Sequence, residues 1–284
     1  MEKIFFPARA KINLSLDVLY KRPDGYHELE MVMQSISLSD MLIFSSRKDQ
    51  EIMFTCDHPQ VPQDESNIIL RVVNKLKEVT GIRRGAGIHL EKNIPIGAGL
   101  AGGSTDAAAS LISLNRLWEL GLPREKLLEI GAELGADIPF CMTGGTCLAR
   151  GKGEILTGIP LLKPMWVMLV VFNFSVSTAE IYENYRPEKV LQRPDTPSVI
   201  KALEKGDLKE LRKKTANALE SVTLSRYSQV AKRKEELLNK GFSGTLMTGS
   251  GPTLFYLSSE KAEIERAAQE VSWGEEKVII ARTV

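Results

Sequence analysis

Cysteine and histidine are both scarce, with three of each in 284 residues. Cys56, Cys141 and Cys147 form neither a Cys-x-x-Cys pair nor an even secreted framework, and His27, His58 and His89 stand far apart. This spacing argues against a structural zinc site and a disulfide scaffold, and leaves the cysteines as small packed hydrophobes in a reducing compartment. Charge of one sign is lacking too. The formal net charge is +1, so no bulk field holds a polyanion or a membrane surface, and aromatics at 6% offer little to stack on nucleic acid. Long apolar runs are absent: Met165 to Phe172 falls well short of the roughly 20 residues that cross a bilayer. The N-terminus turns polar by Arg9 and Lys11, without a signal-peptide profile. We therefore expect a soluble cytoplasmic protein with no nucleic-acid or membrane partner and no obligate protein partner.

What remains is an ordinary globular composition, 43% hydrophobic and 26% charged, in a chain long enough for two domains of about 150 residues. Ile12, Leu14, Leu16 and Val18 alternate with Lys11, Asn13, Ser15 and Asp17, a period of two that predicts a half-buried strand with Lys11 and Asn13 on its polar face. Further short strands are expected near Glu30 to Ser37, Met41 to Ser45 and Glu51 to Thr55, making a meander. Ser66 is expected to cap a helix with Ile69, Val72, Val73, Leu76 and Val79 on its face, ending at Gly81. A strand at Gly87 to Lys92 leads into a glycine-rich stretch and then a helix carrying Ala107, Leu111, Leu114 and Trp118. A second helix should run from about Pro123 to Leu134 and stop at Gly135, with Asp137 in the turn beyond.

From Lys163 the order becomes strand, helices, strand (Gly244 to Thr248), strand (Thr253 to Ser258), helix (Glu260 to Val271), strand (Lys277 to Ala281). Extra helices aside, this is the βαββαβ order of ferredoxin-like domains. Gly158, Pro160 and Pro164 interrupt the pattern and set the expected boundary, with domains at 1–160 and 161–284.

The glycine-rich stretch carries the chemistry. Pro95-Ile-Gly-Ala-Gly-Leu-Ala-Gly-Gly-Ser-Thr-Asp106 supplies backbone N–H groups unobstructed by side chains and then a helix N-terminus, a combination that favours an anion such as phosphate. Gly97, Gly99 and Gly102 match the dinucleotide G-x-G-x-x-G, but the partnering acid about 20 residues on is replaced by Glu119 within a helix. Gly97, Gly102 and Ser104 nearly spell a P-loop, yet Gly103 stands where its lysine is required. A different nucleotide cradle is indicated.

That stretch resembles the phosphate loop of the GHMP small-molecule kinases, and other segments agree with it in order along essentially the whole chain. These are Ala10-Lys-Ile-Asn-Leu14, Arg22-Pro-Asp-Gly-Tyr-His27, Leu134-Gly-Ala-Asp-Ile-Pro139, Val176-Ser-Thr-Ala-Glu180 and Leu246-Met-Thr-Gly-Ser-Gly-Pro-Thr253. The resemblance implies an α+β, two-domain architecture: an ATP-binding N-terminal domain like ribosomal protein S5 domain 2, a ferredoxin-like C-terminal domain, and the site in the cleft between them. The activity it implies is ATP-dependent phosphorylation of the 2-hydroxyl of 4-diphosphocytidyl-2-C-methyl-D-erythritol, giving the 2-phosphate and ADP, in the non-mevalonate route to isoprenoids. The alternatives are another kinase of the family acting on homoserine, mevalonate or a sugar, an RNA-binding module, and a dehydrogenase.

By the same resemblance Asp137 is the base and Lys11 the cation that holds it ionised and orients the hydroxyl. Pro95, Ile96, Gly97, Ala98, Gly99, Leu100, Ala101, Gly102, Gly103, Ser104 and Thr105 would line the ATP site, with Asn67 at the nucleotide base. Tyr26 would stack on cytosine, His27 would meet its edge and Tyr182 its opposite face; Asn13, Thr178, Gly249, Ser250 and Gly251 would complete the substrate site. Mg²⁺ is expected to arrive with ATP and to keep waters, with no metal site of the protein's own. Arg9 and Lys152 depart from the proline and arginine common in the family, away from the expected chemistry.

Overall fold

The computed structural model describes residues 3–160, 163–271 and 273–284. The chain forms two compact units. One takes residues up to Ala10, Leu38–Pro95 and Ala101–Thr143; the other takes Lys11–Ser37, Ile96–Leu100 and Gly144–Val284. The domain boundary expected between 160 and 161 touches Leu161, which lies outside the described residues.

Two long strands, β1 (Lys3–Lys21) and β2 (His27–Ser46), pair with each other and supply residues to both units. The expected break between Ser37 and Met41 does not occur: Ser39 and Asp40 continue β2, and Asp40 is fully buried. β1 also differs from the half-buried strand that its alternation predicts. Lys11, Asn13, Ser15 and Asp17 are all buried like the apolar residues between them; polar partners rather than water meet Lys11, Asn13 and Asp17, while the Ser15 hydroxyl has no partner among the described residues.

In the first unit β3 (Ile52–Cys56) does not continue a meander. It runs parallel to β4 (Ala86–Glu91), which itself pairs antiparallel with Met41–Ser46 of β2. The parallel crossover is made by α1 (Ile68–Thr80), as parallel strands require. The cap of α1 is Asn67, not Ser66: the Asn67 side chain accepts from the Ile69 N–H, while Ser66 bonds Asp64. Helices α2 (Gly102–Leu117), α3 (Arg124–Leu134) and α4 (Ile138–Thr143) complete the unit. Its core joins Leu42 and Phe44 of β2, Ile69, Val72, Val73 and Leu76 of α1, Ile88 and Leu90 of β4, and Ala107, Leu111 and Leu114 of α2. α2 is buried on nearly every side, in keeping with the apolar residues around it.

In the second unit the first half of β2 pairs with β5 (Thr146–Gly151), and β5 with β6 (Ile155–Gly158), a hairpin that the sequence reading did not find. The remaining sheet combines β7 (Trp166–Val171), β8 (Leu246–Met247), β9 (Leu254–Ser258) and β10 (Lys277–Arg282) in the antiparallel order β10-β7-β9-β8. That order is the ferredoxin-like one the element pattern predicts. The helices are α5 (Thr178–Glu183), α6 (Thr196–Lys205), α7 (Leu208–Lys214), α8 (Glu220–Arg226), α9 (Ser228–Asn239) and α10 (Lys261–Glu270). β8 is shorter than expected because the chain leaves the ladder at Thr248 and turns through Gly249 and Gly251, both at positive φ. Among the described residues no helix is long and apolar enough to cross a membrane.

Phe44 lies fully buried where β2, α1 and α2 meet. Its replacement by alanine is expected to cost about 3–5 kcal/mol, read from the shift in the urea unfolding midpoint against wild type.

Candidate functional site

The second unit gathers most of the residues that the sequence singles out, and it does so through backbone contacts. Gly99 has φ +76°, and a Cβ there would lie 2.5 Å from the Thr248 carbonyl oxygen and 2.9 Å from that of Gly251. A Cβ on Gly249 would in turn stand 3.2 Å from the Gly99 carbonyl oxygen and 3.5 Å from Lys11 Nζ. The two glycine segments therefore meet main chain against main chain, an approach that only glycine allows.

Lys11 enters this contact from β1. Its ammonium donates to Asn13 Oδ1 at 2.8 Å and to the Gly99 carbonyl at 3.3 Å, and its own N–H donates to the Leu100 carbonyl. Thr248, which the sequence reading passed over, ties the group together: its hydroxyl accepts from the Asn13 N–H at 3.0 Å and lies 3.4 Å from Asn13 Oδ1. The Asn217 amide donates to the Met247 and Gly249 carbonyls at 2.8 Å each. Ser250 meets the Thr178 hydroxyl at 2.9 Å, and its carbonyl accepts from Thr223. Lys11, Asn13, Gly99, Thr178, Gly249, Ser250 and Gly251 thus lie among polar contacts gathered on the Thr248–Gly251 segment. Asn217 and Thr223 are additional members that no local pattern distinguishes, whereas Thr248 lies inside the second glycine motif.

The aromatic group is arranged differently from its expected order. His27 stacks directly on Tyr182, with centroids 5.3 Å apart and planes 27° from parallel, and meets Tyr185 edge-on at 6.2 Å. Burial lowers the His27 pKa below the ordinary imidazole value, with Lys21 adding to the effect. Tyr26 is largely exposed beyond the turn at Arg22–Gly25, and the Lys152 ammonium sits 4.6 Å from its ring centre. Tyr185 is a neighbour that the sequence did not flag; its hydroxyl donates to the Val18 carbonyl, beside the Arg193–Asp17 ion pair.

Between Ile96 and Ala101 the glycine loop takes positive φ at alternate residues: Gly97 at 65°, Gly99 at 76° and Ala101 at 57°. Such alternation turns successive N–H groups toward a common concavity. Ala101 precedes α2 without side-chain capping, so the first-turn N–H groups of α2 are left for other acceptors. Ser104 and Thr105 lie in that turn, and the Thr105 hydroxyl is spent on the Arg9 carbonyl at 2.7 Å.

The first unit holds the remaining candidates. The Asn67 amide caps α1 and also donates to the Pro62 carbonyl at 2.7 Å. Asp137 is half-buried at the start of α4, where its carbonyl accepts from the Cys141 N–H. Beneath α2 lies an ionic group that the sequence reading missed: Lys92 with side-chain exposure of 5%, between Asp40 at 0% and Asp106 at 4%. Burial pushes the Asp106 carboxyl well above the usual carboxylate range, against the pull of Lys92 and with a further push from Asp40. Among the described residues no group of three or more His, Cys, Asp or Glu side chains could hold a metal ion.

Against known proteins, residues 67–145 match the sequence model of the GHMP kinases N-terminal domain and residues 199–274 that of the GHMP kinases C-terminal domain. A 4-diphosphocytidyl-2-C-methyl-D-erythritol kinase of Alkaliphilus metalliredigens is 44% identical over 96% of this chain and 94% of its own. The kinase of the same name from Geobacillus kaustophilus is 45% identical over 93% and 91%. Among solved structures, a 4-(cytidine 5'-diphospho)-2C-methyl-D-erythritol kinase superposes with a TM-score of 0.82 at 31% identity, covering 98% of this chain and 99% of that one. Homoserine kinase from Cytophaga hutchinsonii, at 17% identity and a TM-score of 0.74 over 100% and 95% of the two chains, shares the fold. With both glycine segments in place and near full-length likeness to these relatives, the chain belongs to the GHMP kinase family.

Proposed function

We propose that this chain transfers the terminal phosphoryl group of ATP to the 2-hydroxyl of 4-diphosphocytidyl-2-C-methyl-D-erythritol, giving the 2-phosphate and ADP on the non-mevalonate route to isoprenoids, in the cytoplasm. Relatives 44–45% identical over most of the chain carry that substrate in their names. The structural observation that carries the reading is the stacked His27–Tyr182 pair in the same unit as Lys11 and Asn13. A cytosine uses ring faces and edge hydrogen bonds, whereas homoserine and mevalonate have no base to stack.

In this reading the chain divides by role into an ATP-binding half, 1–160, and a ferredoxin-like half, 161–284. Pro95 to Thr105 cradle the phosphates: N–H groups turned inward at alternate residues and the free first turn of α2 suit an anion. Asn67, whose amide serves the α1 cap and Pro62, keeps one further lone pair and one further N–H for the nucleotide base. Asp137 takes the proton of the attacking hydroxyl, and Lys11 steadies the developing charge and orients the acceptor. Asn13, Thr178, Gly249, Ser250 and Gly251 hold the substrate. Cytosine enters between Tyr26 and Tyr182 by displacing His27 from the Tyr182 face, exchanging one ring contact for another and leaving the neutral imidazole for the base edge. Mg²⁺ bound with ATP would neutralise phosphate charge. The donor set near α2 fits a cation carried in by phosphate oxygens, since among the described residues no group of three or more His, Cys, Asp or Glu side chains could hold a metal ion by itself.

A coupled ADP-release assay tests the function. Turnover is expected with the cytidylyl alcohol and not with homoserine or mevalonate, and equal turnover of all three would overturn the substrate assignment. Asp137→Asn is expected to leave the ATP dissociation constant nearly unchanged and to lower kcat by about 10² to 10⁴-fold, as measured by calorimetry and steady-state kinetics. Gly99→Ala places a methyl against the Thr248 carbonyl at a left-handed backbone position. Since small misplacements in a phosphoryl-transfer site cost on the order of 10²-fold, it is expected to lower kcat/KM for ATP by about that factor.

A further inference from the structure

The ionic group beneath α2 has no part in the chemistry described above, yet it touches both ends of the glycine loop. Asp40 Oδ1 accepts from two consecutive main-chain donors, the Asn93 N–H at 2.6 Å and the Ile94 N–H at 2.7 Å. These are the last two residues before Pro95, where the loop begins. Asp40 Oδ2 takes the Lys92 ammonium in a very close ion pair. The same ammonium reaches Asp106 Oδ2 at 3.2 Å, in the first turns of α2, and lies 2.9 Å from where a Cβ on Gly102 would stand. One carboxylate thus grips the entry of the loop directly and its exit through one ammonium. All of these residues belong to the same unit.

Stability does not account for such a group. Removing two carboxylates and an ammonium from water costs several kcal/mol per ion, and well-packed apolar side chains of similar volume commonly do as well or better. The Asp106 Oδ1 atom is buried with no hydrogen-bond partner among the described residues, a further cost borne at this place. What a charged set supplies and an apolar one does not is direction, because each short charge-assisted hydrogen bond admits one arrangement of its partners. The loop needs that direction. Its N–H groups act on phosphate only if the chain enters and leaves at fixed points, and its glycines carry no side chains to hold them there.

We propose that Asp40 is a positioning residue of the nucleotide site, its carboxylate clamping the Asn93–Ile94 main chain and, through Lys92, the first turns of α2, so that the glycine loop is held in its phosphate-binding shape before ATP arrives. This inference rests on the kinase reading given above. Asp40→Asn removes the charge while keeping the shape. It is expected to raise the KM for ATP about 10-fold or more, with the KM of the alcohol within about two-fold of wild type, since the clamp acts on the ends of the loop and the first turns of α2 rather than on the Gly99 carbonyl that receives Lys11. A second variant, Asp106→Asn, keeps the Lys92–Asp40 ion pair and weakens only the link to α2; a several-fold rise confined to the ATP KM is expected. It decides the matter if Asp40→Asn does not fold.

A lowered melting temperature with both KM values unchanged, or an equal rise in both, would make Asp40 a purely structural residue and overturn the proposal. The ATP dissociation constant, measured by calorimetry in the same proteins, keeps the two readings apart. If wild type binds ATP but does not phosphorylate the cytidylyl alcohol, the substrate assignment fails while the clamp is still judged by whether the variants weaken ATP binding.

Discussion

The arrangement depends on one close approach, that of Gly99 to the carbonyls of Thr248 and Gly251. A single methyl at Gly99 would force the two glycine segments apart. With them would go the Gly99 carbonyl that receives Lys11 and the Thr248 hydroxyl that receives the Asn13 N–H. The polar face of β1 is tolerable in the interior only because those partners are present. Buried Lys and Asn side chains far from water must be matched group by group, and here the match comes from each other, from the Thr248 hydroxyl and from the Gly99 carbonyl, which no bulkier residue would let near.

The second organising feature is charge held out of water. Lys92 joins the buried Asp40 across 52 positions, and Arg193, itself 40% exposed, joins the largely buried Asp17 across 176. Such pairs add little net stability, but they leave the chain few alternative arrangements nearby. In a kinase the transferred group passes through a loose transition state, so catalysis is mainly positioning and charge neutralisation, and rigidity of this kind is useful.

Periodicity made much of the fold legible. The apolar face of α1, the buried α2 and the βαββαβ order of the second unit were all readable from spacing, because each follows from burial of one face of a local element. Where the structure departs from these local signals, a distant partner overrules them. Ser39 and Asp40 read as a turn, yet β2 runs through them because Lys92, Asn93 and Ile94 satisfy the carboxylate. Ser66 read as the helix cap, but Asp64 captures its hydroxyl and Asn67 takes its place. β3 read as the next strand of a meander, though β4 arrives later in the chain to pair with both β2 and β3.

By itself the sequence determined which residues carry hydroxyl, amine, carboxylate and bare backbone at the glycine segments, and hence the family and its phosphate chemistry. Spacing along the chain records such things directly, since a glycine that admits main chain and a helix that follows it are neighbours in sequence. Only the tertiary structure decided that Asp40 meets the Asn93 and Ile94 N–H groups, that Thr248 meets Asn13, that Asn217 binds the second glycine segment, and that His27 rests on Tyr182. Those choices depend on distances between residues tens to hundreds of positions apart. They arise when the packing of one element removes water from another, an event that no local pattern encodes.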